Sequence, residues 1–256
     1  MLVLSGLVRY NYAGRQIPTS TGTIFVVSAC FAVRTTMILC GLTDERTQPV
    51  LPYLLLAVGS SLAGLIDDIY GSHVERGLAG HLKAFIEQGK VTTGLFKAVL
   101  IWFLAAVSVS ASADTKPLSA LVSDATLISL SANFMNLLDL RPARSGKAFL
   151  ISFMLLLVGD CRSFSPLVPA GFVGAVLAGI GDELNEKSMM GDAGANPLGA
   201  VLGYWVVLRS SPIVKTSVLL LLIGVHIYSE RRSLSITIDA NPVLRFIDLL
   251  GRSRKS

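Results

Sequence analysis

Long, nearly uninterrupted apolar runs are the feature that most constrains how this chain can fold. Three of them, at residues 51–66, 95–113 and 213–228, are separated by short polar clusters. Hydrophobic residues make up 52% of the 256 residues and charged residues only 15%, whereas soluble domains carry roughly 25% charged residues. A helix that crosses the hydrocarbon layer needs about 20 mostly apolar residues. The sequence therefore predicts an all-α, polytopic transmembrane helix bundle.

About eight spans are expected, and four of them are well marked, near residues 23–42, 49–66, 94–113 and 117–138. Four more follow, near residues 148–158, 166–180, 193–208 and 213–228. The first three of these later segments are short or marginal, so tilted, broken or partly buried helices are expected there. We divide the chain into a transmembrane domain at residues 1–229 and a basic amphipathic tail at residues 230–256.

The basic residues are unevenly distributed between the two sides that alternating spans create. Sixteen of the 22 Lys and Arg lie in the segments 9–22, 67–97, 139–147, 182–192 and 230–256, which share one side. Loops rich in Lys and Arg remain in the cytoplasm, so this side is predicted to be cytoplasmic. The tail is expected to lie on that surface of the lipid bilayer, or to dock against the loops as a lid. No nucleic-acid partner is expected.

The first polar cluster on this side is the adjacent pair Asp67 and Asp68, which follows an apolar run directly. Adjacent carboxylates repel each other, and both stay ionised only where a cation or hydrogen-bond donors compensate their charge. Mg²⁺ prefers carboxylate and phosphate oxygens and is the natural candidate. The alternative is an ordinary acidic pair at a helix end.

Two further clusters lie on the same side. Asn133, Asn136 and Asp139 recur every third residue and therefore share one side of a helix. They could line a polar cavity that binds a ligand, or they could join helices by polar contacts. Gly191 and Asp192 stand at the start of a span, where a helix N-terminus favours phosphate and the aspartate could hold a metal that bridges to it.

The loop that follows Asp68 supplies cations. Lys83, Lys90 and Lys97, with Arg76, could bind a pyrophosphate or the phosphate of a lipid. Their alternative interpretation is as positive charges that keep the loop in the cytoplasm.

In this order the motifs resemble the polyprenyl-phosphate phosphosugar transferases of glycosyltransferase family 4. That family includes the bacterial phospho-N-acetylmuramoyl-pentapeptide translocase and N-acetylglucosamine-1-phosphate transferases. The matching segments are NYAGRQIPT at 11–19, GLIDD at 64–68, GKVTTG at 89–94, NFMNLLD at 133–139 and GDAG at 191–194. The family fold has ten helices, and we expect this sequence to lack a counterpart of the opening one.

The resemblance implies a Mg²⁺-dependent phosphoglycosyltransferase, with Mn²⁺ as a substitute ion, in a bacterial inner membrane. It would transfer a sugar 1-phosphate from a nucleotide-diphospho-sugar, such as a UDP-N-acetylhexosamine, to polyprenyl (undecaprenyl) phosphate, and it would be compatible with a homodimer. By position, the resemblance implies catalysis by Asp67 and Asp68, magnesium binding by Asp192, and a place near the nucleotide for Asn136 and Asp139. Together with the residue patterns above, the predicted site comprises catalytic Asp67 and Asp68, metal-binding Asp192 with Asp67, nucleotide-sugar-binding Asn133, Asn136, Asp139 and Gly191, and phosphate- or carrier-binding Lys83 and Lys90.

The sequence also departs from the family pattern. Leu140 stands where many members have glycine, Ala195 replaces a serine, and His226 is alone where the peptidoglycan branch has a histidine cluster. The absent cluster argues against a muramoyl-pentapeptide donor and leaves the sugar open. Leu140 and the missing helix favour an alternative, a non-catalytic member that binds the lipid carrier or scaffolds envelope enzymes. A secondary transporter is disfavoured, because the polar clusters lie at one membrane boundary rather than at the midplane.

Overall fold

The computed structural model describes residues 7–41, 50–71, 77–111, 116–159 and 167–252. Within these ranges the chain forms eleven helices and a two-stranded sheet. In chain order the elements are β1 (Val8–Tyr10), β2 (Gln16–Pro18), α1 (Gly22–Leu39), α2 (Val50–Tyr70), α3 (Gly77–Gln88), α4 (Thr93–Ala111), α5 (Leu118–Leu138), α6 (Arg144–Gly159), α7 (Leu167–Leu184), α8 (Asp192–Arg209), α9 (Pro212–Arg231), α10 (Leu234–Ala240) and α11 (Pro242–Leu249). The predicted all-α polytopic bundle is confirmed.

Six helices are long and apolar enough to cross a membrane, namely α1, α2, α4, α5, α7 and α9. Helix α6 has 16 residues and α8 has 18. These two are not among the helices long and apolar enough to cross, so among the described residues six of the eight expected spans meet that criterion. The protein is therefore a multi-pass membrane protein, and α6 and α8 fall where the sequence marks short or marginal spans.

Helix α8 is the centre of the bundle. Fifteen of its 18 residues are buried, and it packs most extensively against α5 and α2. Small residues permit this approach, since a Cβ added to Gly199 would lie 2.0 Å from the carbonyl oxygen of Ser131 on α5. Close backbone packing of this kind is typical of helices joined inside a bilayer. The marginal hydropathy of α8 follows from its position, because it contacts protein where an outer helix contacts lipid.

The helices alternate in direction, so one end of the bundle collects the C-termini of α2 and α5 and the N-termini of α4 and α8. At the opposite end of the bundle, the buried residue Asp124 of α5 forms ion pairs with Lys116 at 2.8 Å and with Lys215 of α9 at 3.0 Å. Asp124 precedes Asn136 by 12 residues, which corresponds to about 18 Å along the helix. This ion cluster therefore belongs to the end away from the polar motifs.

A short hairpin formed by β1 and β2 precedes α1. The strands are antiparallel, with Val8 opposite Pro18. The side-chain oxygen of Asn11 accepts hydrogen bonds from the backbone N–H groups of Ala13 and Arg15, both at 2.9 Å, and so stabilises the turn. The first motif of the resemblance is therefore an ordered hairpin, which was not predicted.

The tail forms two short helices, α10 and α11, and α11 docks on the start of α6. The Asp248 carboxylate accepts two hydrogen bonds from the Arg144 guanidinium, at 2.7 and 3.1 Å, and both residues are buried. Burial by itself would raise the pKa of Asp248, but the hydrogen bond and the charge of Arg144 hold this pKa below its ordinary value. Asp248 is therefore an ionised anchor for the tail.

The outer side of α11 retains the apolar character that was predicted. Val243 is 66% exposed and Phe246 is 67% exposed, as in helices that lie in a membrane interface. Docking on the bundle and contact with a membrane surface are thus compatible. The membrane contact and the domain division at residue 230 stay predictions, and residues 253–256 lie outside the described ranges.

The close contact of α5 with α8 makes a testable prediction. Gly199→Ala should lower the free energy of unfolding by about 1–3 kcal/mol, because the new methyl group overlaps the backbone of α5. Gly224→Ala is the matched control, since a Cβ there has no atom within 4 Å. Both substitutions bring the same gain in helix propensity. Unfolding of detergent-purified variants measures the difference, and equal stability of the two variants would contradict the packing.

Candidate functional site

A cavity of about 970 Å³ lies at the end of the bundle where α2 and α5 end and α4 and α8 begin. Its lining includes every residue predicted for catalysis, metal binding and nucleotide-sugar binding, namely Asp67, Asp68, Asn133, Asn136, Asp139, Gly191 and Asp192. Three segments that are distant in the sequence therefore meet at one place. The role of each residue stays a prediction.

Lys97 is the buried cation of the cavity. Its side chain is only 9% exposed, and its ammonium donates a hydrogen bond to Asp67 Oδ2 at 2.6 Å and another to Asp192 Oδ2. A carboxylate removed from water is strongly destabilising unless it is paired and hydrogen-bonded. One ammonium thus pairs with two carboxylates that come from different helices.

Asp68 has a different environment from its neighbour. One of its carboxylate oxygens accepts from the backbone N–H of Asp192, and the other accepts from the N–H of Ala193, both at 3.1 Å. The hydroxyl of Ser20 donates to the second oxygen at 2.7 Å. The N–H groups at a helix start have no partner inside the helix, so Asp68 caps α8 from the end of α2. Arg9 of the hairpin donates to the backbone carbonyl of the same aspartate.

The end of α5 contacts the start of α8. The Asn136 amide donates to Asp192 Oδ2 at 3.2 Å, and the Asp139 carboxyl accepts from the N–H of Gly191 at 3.1 Å. Burial raises the pKa of Asp139 well above its ordinary value, and the negative charges of Glu183 and other acidic neighbours raise it further. The exposed part of Asp139 lines two cavities, namely the large cavity and a neighbouring cavity of about 320 Å³. Asp139 therefore keeps its proton to higher pH than an exposed aspartate.

Gly191 has a positive φ of 70° immediately before α8. A Cβ at this position would lie 2.7 Å from Asp68 Oδ2 and 2.9 Å from the backbone nitrogen of Ser20. A side chain is therefore excluded both by the backbone conformation and by the neighbouring groups. The groups that approach this glycine closely belong to the protein itself.

Lys83 and Lys90, predicted to bind phosphate or the carrier, are not among the residues that line the cavity. Lys83 lies on an outer face of α3, 70% exposed, with its ammonium 4.0 Å from Glu87. Helix α3 contributes His81 to the lining of the cavity. The ring nitrogen Nδ1 of His81 forms a hydrogen bond with the Thr92 hydroxyl at 2.8 Å. The rotation of α3 therefore directs Lys83 away from the cavity, and the buried cation is Lys97.

The donor set fits a divalent cation in part. Among the described residues there is no group of three or more His, Cys, Asp or Glu side chains that could hold a metal. Asp67 and Asp192 nevertheless direct one oxygen each to the same nitrogen of Lys97. Mg²⁺ usually takes one or two carboxylates and completes its shell with water and substrate phosphates. Two carboxylates beside an open cavity are compatible with that mode of binding.

Several residues of the site were missed or assigned differently from sequence. Lys97 was counted with the loop cations, although it precedes a long apolar segment, and an ionisable residue inside a span is itself a functional signal. Arg9 and Ser20 gave no signal, because they reach Asp68 only through the tertiary fold. Asn196 lines the cavity, and its Oδ1 is buried without a partner among the described residues.

No protein-family model matches the sequence, and no curated protein matches it. The resemblance to the phosphosugar transferases therefore rests on the ordered motifs alone.

The capping contact predicts a role for Asp68 in stability. In Asp68→Asn an NH₂ group replaces one of two oxygens that accept backbone N–H groups, so a buried donor loses its partner. The free energy of unfolding should fall by about 1–3 kcal/mol. Asp182→Asn, at a side chain that is 66% exposed, is the control and should change it little. Thermal or denaturant unfolding in detergent checks this, and equal stability of both variants would exclude the cap.

Proposed function

We propose that the protein is a membrane-embedded, Mg²⁺-dependent transferase that moves a sugar 1-phosphate from a nucleotide-diphospho-sugar to a polyprenyl phosphate. The observation that carries this proposal is the convergence of Asp67 and Asp192 on a single cation position beside a cavity of about 970 Å³. Carboxylates from separate helices that share one cation, next to space for a phosphorylated ligand, suit phosphoryl transfer. The ordered motifs support the same chemistry.

The contacts suggest different roles for the two adjacent aspartates. Both oxygens of Asp68 are engaged by donors from α8 and Ser20, so we assign it to positioning. Asp67 points to Lys97 and Asp192, so we assign it to the reacting phosphates. Asp67 and Asp192 would hold the metal, with Mn²⁺ as a substitute for Mg²⁺. When bound, the metal would neutralise negative charge on the transferred phosphates.

The remaining residues would bind the two substrates. Asn136 fixes the orientation of Asp192, while Asn133 and Asp139 supply polar groups for the nucleotide sugar. The lining also includes apolar Ile101 and Leu130 on α4 and α5, which suits an acceptor that combines a phosphate with a lipid chain. We place Lys97, rather than Lys83 or Lys90, next to the phosphates.

The proposed reaction joins two phosphates. An oxygen of the polyprenyl phosphate forms a bond to the β-phosphorus of the donor, the bond from that phosphorus to the bridging oxygen breaks, and the nucleoside monophosphate leaves with that oxygen. The chain positions both reactants and compensates their charge, which are the main contributions to such a transfer. From the distribution of basic residues we propose that the cavity faces the cytoplasm of a bacterial inner membrane.

Release of the nucleoside monophosphate tests the proposal. Detergent-purified protein should release UMP from at least one UDP-sugar when Mg²⁺ and undecaprenyl phosphate are present. Asp192→Asn should lower this turnover by about 100-fold or more, because the amide loses the charge that holds the metal. Asp182→Asn should retain the turnover, since its side chain is exposed on the surface. Retained activity in Asp192→Asn would overturn the assignment of the metal.

One observation favours a second function, a non-catalytic protein that binds the lipid carrier or scaffolds envelope enzymes. Lys97 already pairs with both Asp67 and Asp192, so each carboxylate has a cationic partner without a metal. Binding of undecaprenyl phosphate without Mg²⁺-dependent turnover of any nucleotide sugar would select this alternative.

A further inference from the structure

The ammonium of Lys97 occupies the position that a shared divalent cation would need. It contacts Oδ2 of Asp67 and Oδ2 of Asp192 at the same time. A metal bound by these two oxygens would lie about 2 Å from each of them. The ammonium and the metal therefore cannot hold both carboxylates together in this arrangement.

The formal charges show what would relieve this conflict. Two carboxylates and one ammonium have a formal charge of −1. A divalent cation alone would bring this cluster to +1, with the ammonium and the metal repelling each other at short range. A pyrophosphate with two negative charges returns the formal charge of the cluster to −1, and it offers the ammonium a new partner. The metal and the pyrophosphate are therefore more favourable as a pair than the metal alone, because the pyrophosphate gives the displaced ammonium a new partner.

We propose that the Lys97 ammonium competes with a divalent cation for the carboxylates of Asp67 and Asp192. A nucleotide pyrophosphate would allow the cation to bind, because it pairs with the ammonium and displaces it from the carboxylates. This inference rests on the proposed function, because it takes the same carboxylates to bind a metal and the same cavity to bind a pyrophosphate. It adds an order of events, in which the metal binds tightly only when the donor is present.

The surroundings of Lys97 allow such an exchange. Its side chain is a flexible four-carbon stem with a compact charge, and it lines the cavity of about 970 Å³. Asn196, one turn after Asp192 on α8, offers a buried Oδ1 without a partner in the described chain. A buried acceptor without a partner is unfavourable, and Asn196 belongs to the same cavity lining as Lys97.

The test is a titration with Mn²⁺, followed by the electron paramagnetic resonance signal of the free ion. It compares wild type, Lys97→Gln, Lys97→Arg and Lys187→Gln in detergent without nucleotide. Lys97→Gln removes the competing charge and should bind Mn²⁺ on the order of tenfold more tightly. Lys97→Arg keeps the charge and should resemble wild type. Lys187→Gln should do so as well, because this lysine is 68% exposed and does not line the cavity.

A second arm adds UDP as the pyrophosphate probe, with its own binding of Mn²⁺ subtracted. UDP should tighten Mn²⁺ binding to wild type on the order of tenfold, and to Lys97→Gln much less. If Lys97→Gln is unstable without metal, Mn²⁺ should raise its melting temperature more than that of wild type, which gives a second readout of the same competition.

Equal Mn²⁺ affinities of wild type and Lys97→Gln, or an equal effect of UDP on both, would overturn the competition. UMP release by the wild type, measured in parallel, reports the proposed function separately. If the wild type releases UMP but the Mn²⁺ affinities of wild type and Lys97→Gln are equal, only the competition is overturned. Tighter Mn²⁺ binding in Lys97→Gln without any turnover supports the competition and removes the transferase function. A lack of Mn²⁺ binding in all variants, with and without UDP, overturns the competition. If UMP release is absent as well, the proposed function is overturned too.

Discussion

The start of α8 is held by hydrogen bonds that the backbone N–H groups of its first two residues donate to the carboxylate of Asp68. Helix starts leave unsatisfied N–H groups and a partial positive charge, which a carboxylate compensates. Because α8 is the most buried helix of the bundle, this contact fixes the central element against α2. The close approach of Gly64 to the carbonyl of Asp192 requires the same alignment. The contacts of Asp192 with Lys97 and Asn136 depend on where α8 begins.

From this alignment follows the collection of buried charges. Once α8 begins beside the end of α2, Asp192 lies between Lys97 of α4 and Asn136 of α5, and it contacts both. Charges away from water are unfavourable unless they are paired, so such a cluster persists only where its members compensate one another. The same compensation makes the cluster sensitive to an added cation or an added phosphate. The stability of the bundle and the proposed binding of a ligand therefore depend on the same few side chains.

The charge of Lys97 also separates the two candidate functions in physical terms. A transferase needs the ammonium to leave the carboxylates when metal and donor arrive, whereas a carrier-binding protein can keep the ion triad unchanged and bind a phosphate beside it.

The tail is anchored by contacts that are separate from this ion triad. Asp248 and Arg144 anchor α11 to α6 through a buried ion pair, and the exposed apolar side chains of α11 remain free for a membrane surface.

The sequence by itself determined the helices and the side on which the polar motifs gather. Backbone groups in hydrocarbon must be satisfied within the segment, so long apolar runs predict spanning helices without knowledge of the fold. Only the tertiary structure decided which polar group meets which. Asp67 and Asp68 have nearly the same sequence context, but successive residues on a helix differ by about 100° in direction, so one reaches Lys97 and the other caps α8. The rotation of α3 likewise turned Lys83 outward, and the docking of α11 depended on an ion pair between residues 104 positions apart. Such choices depend on the packing of whole helices, which the local sequence does not specify.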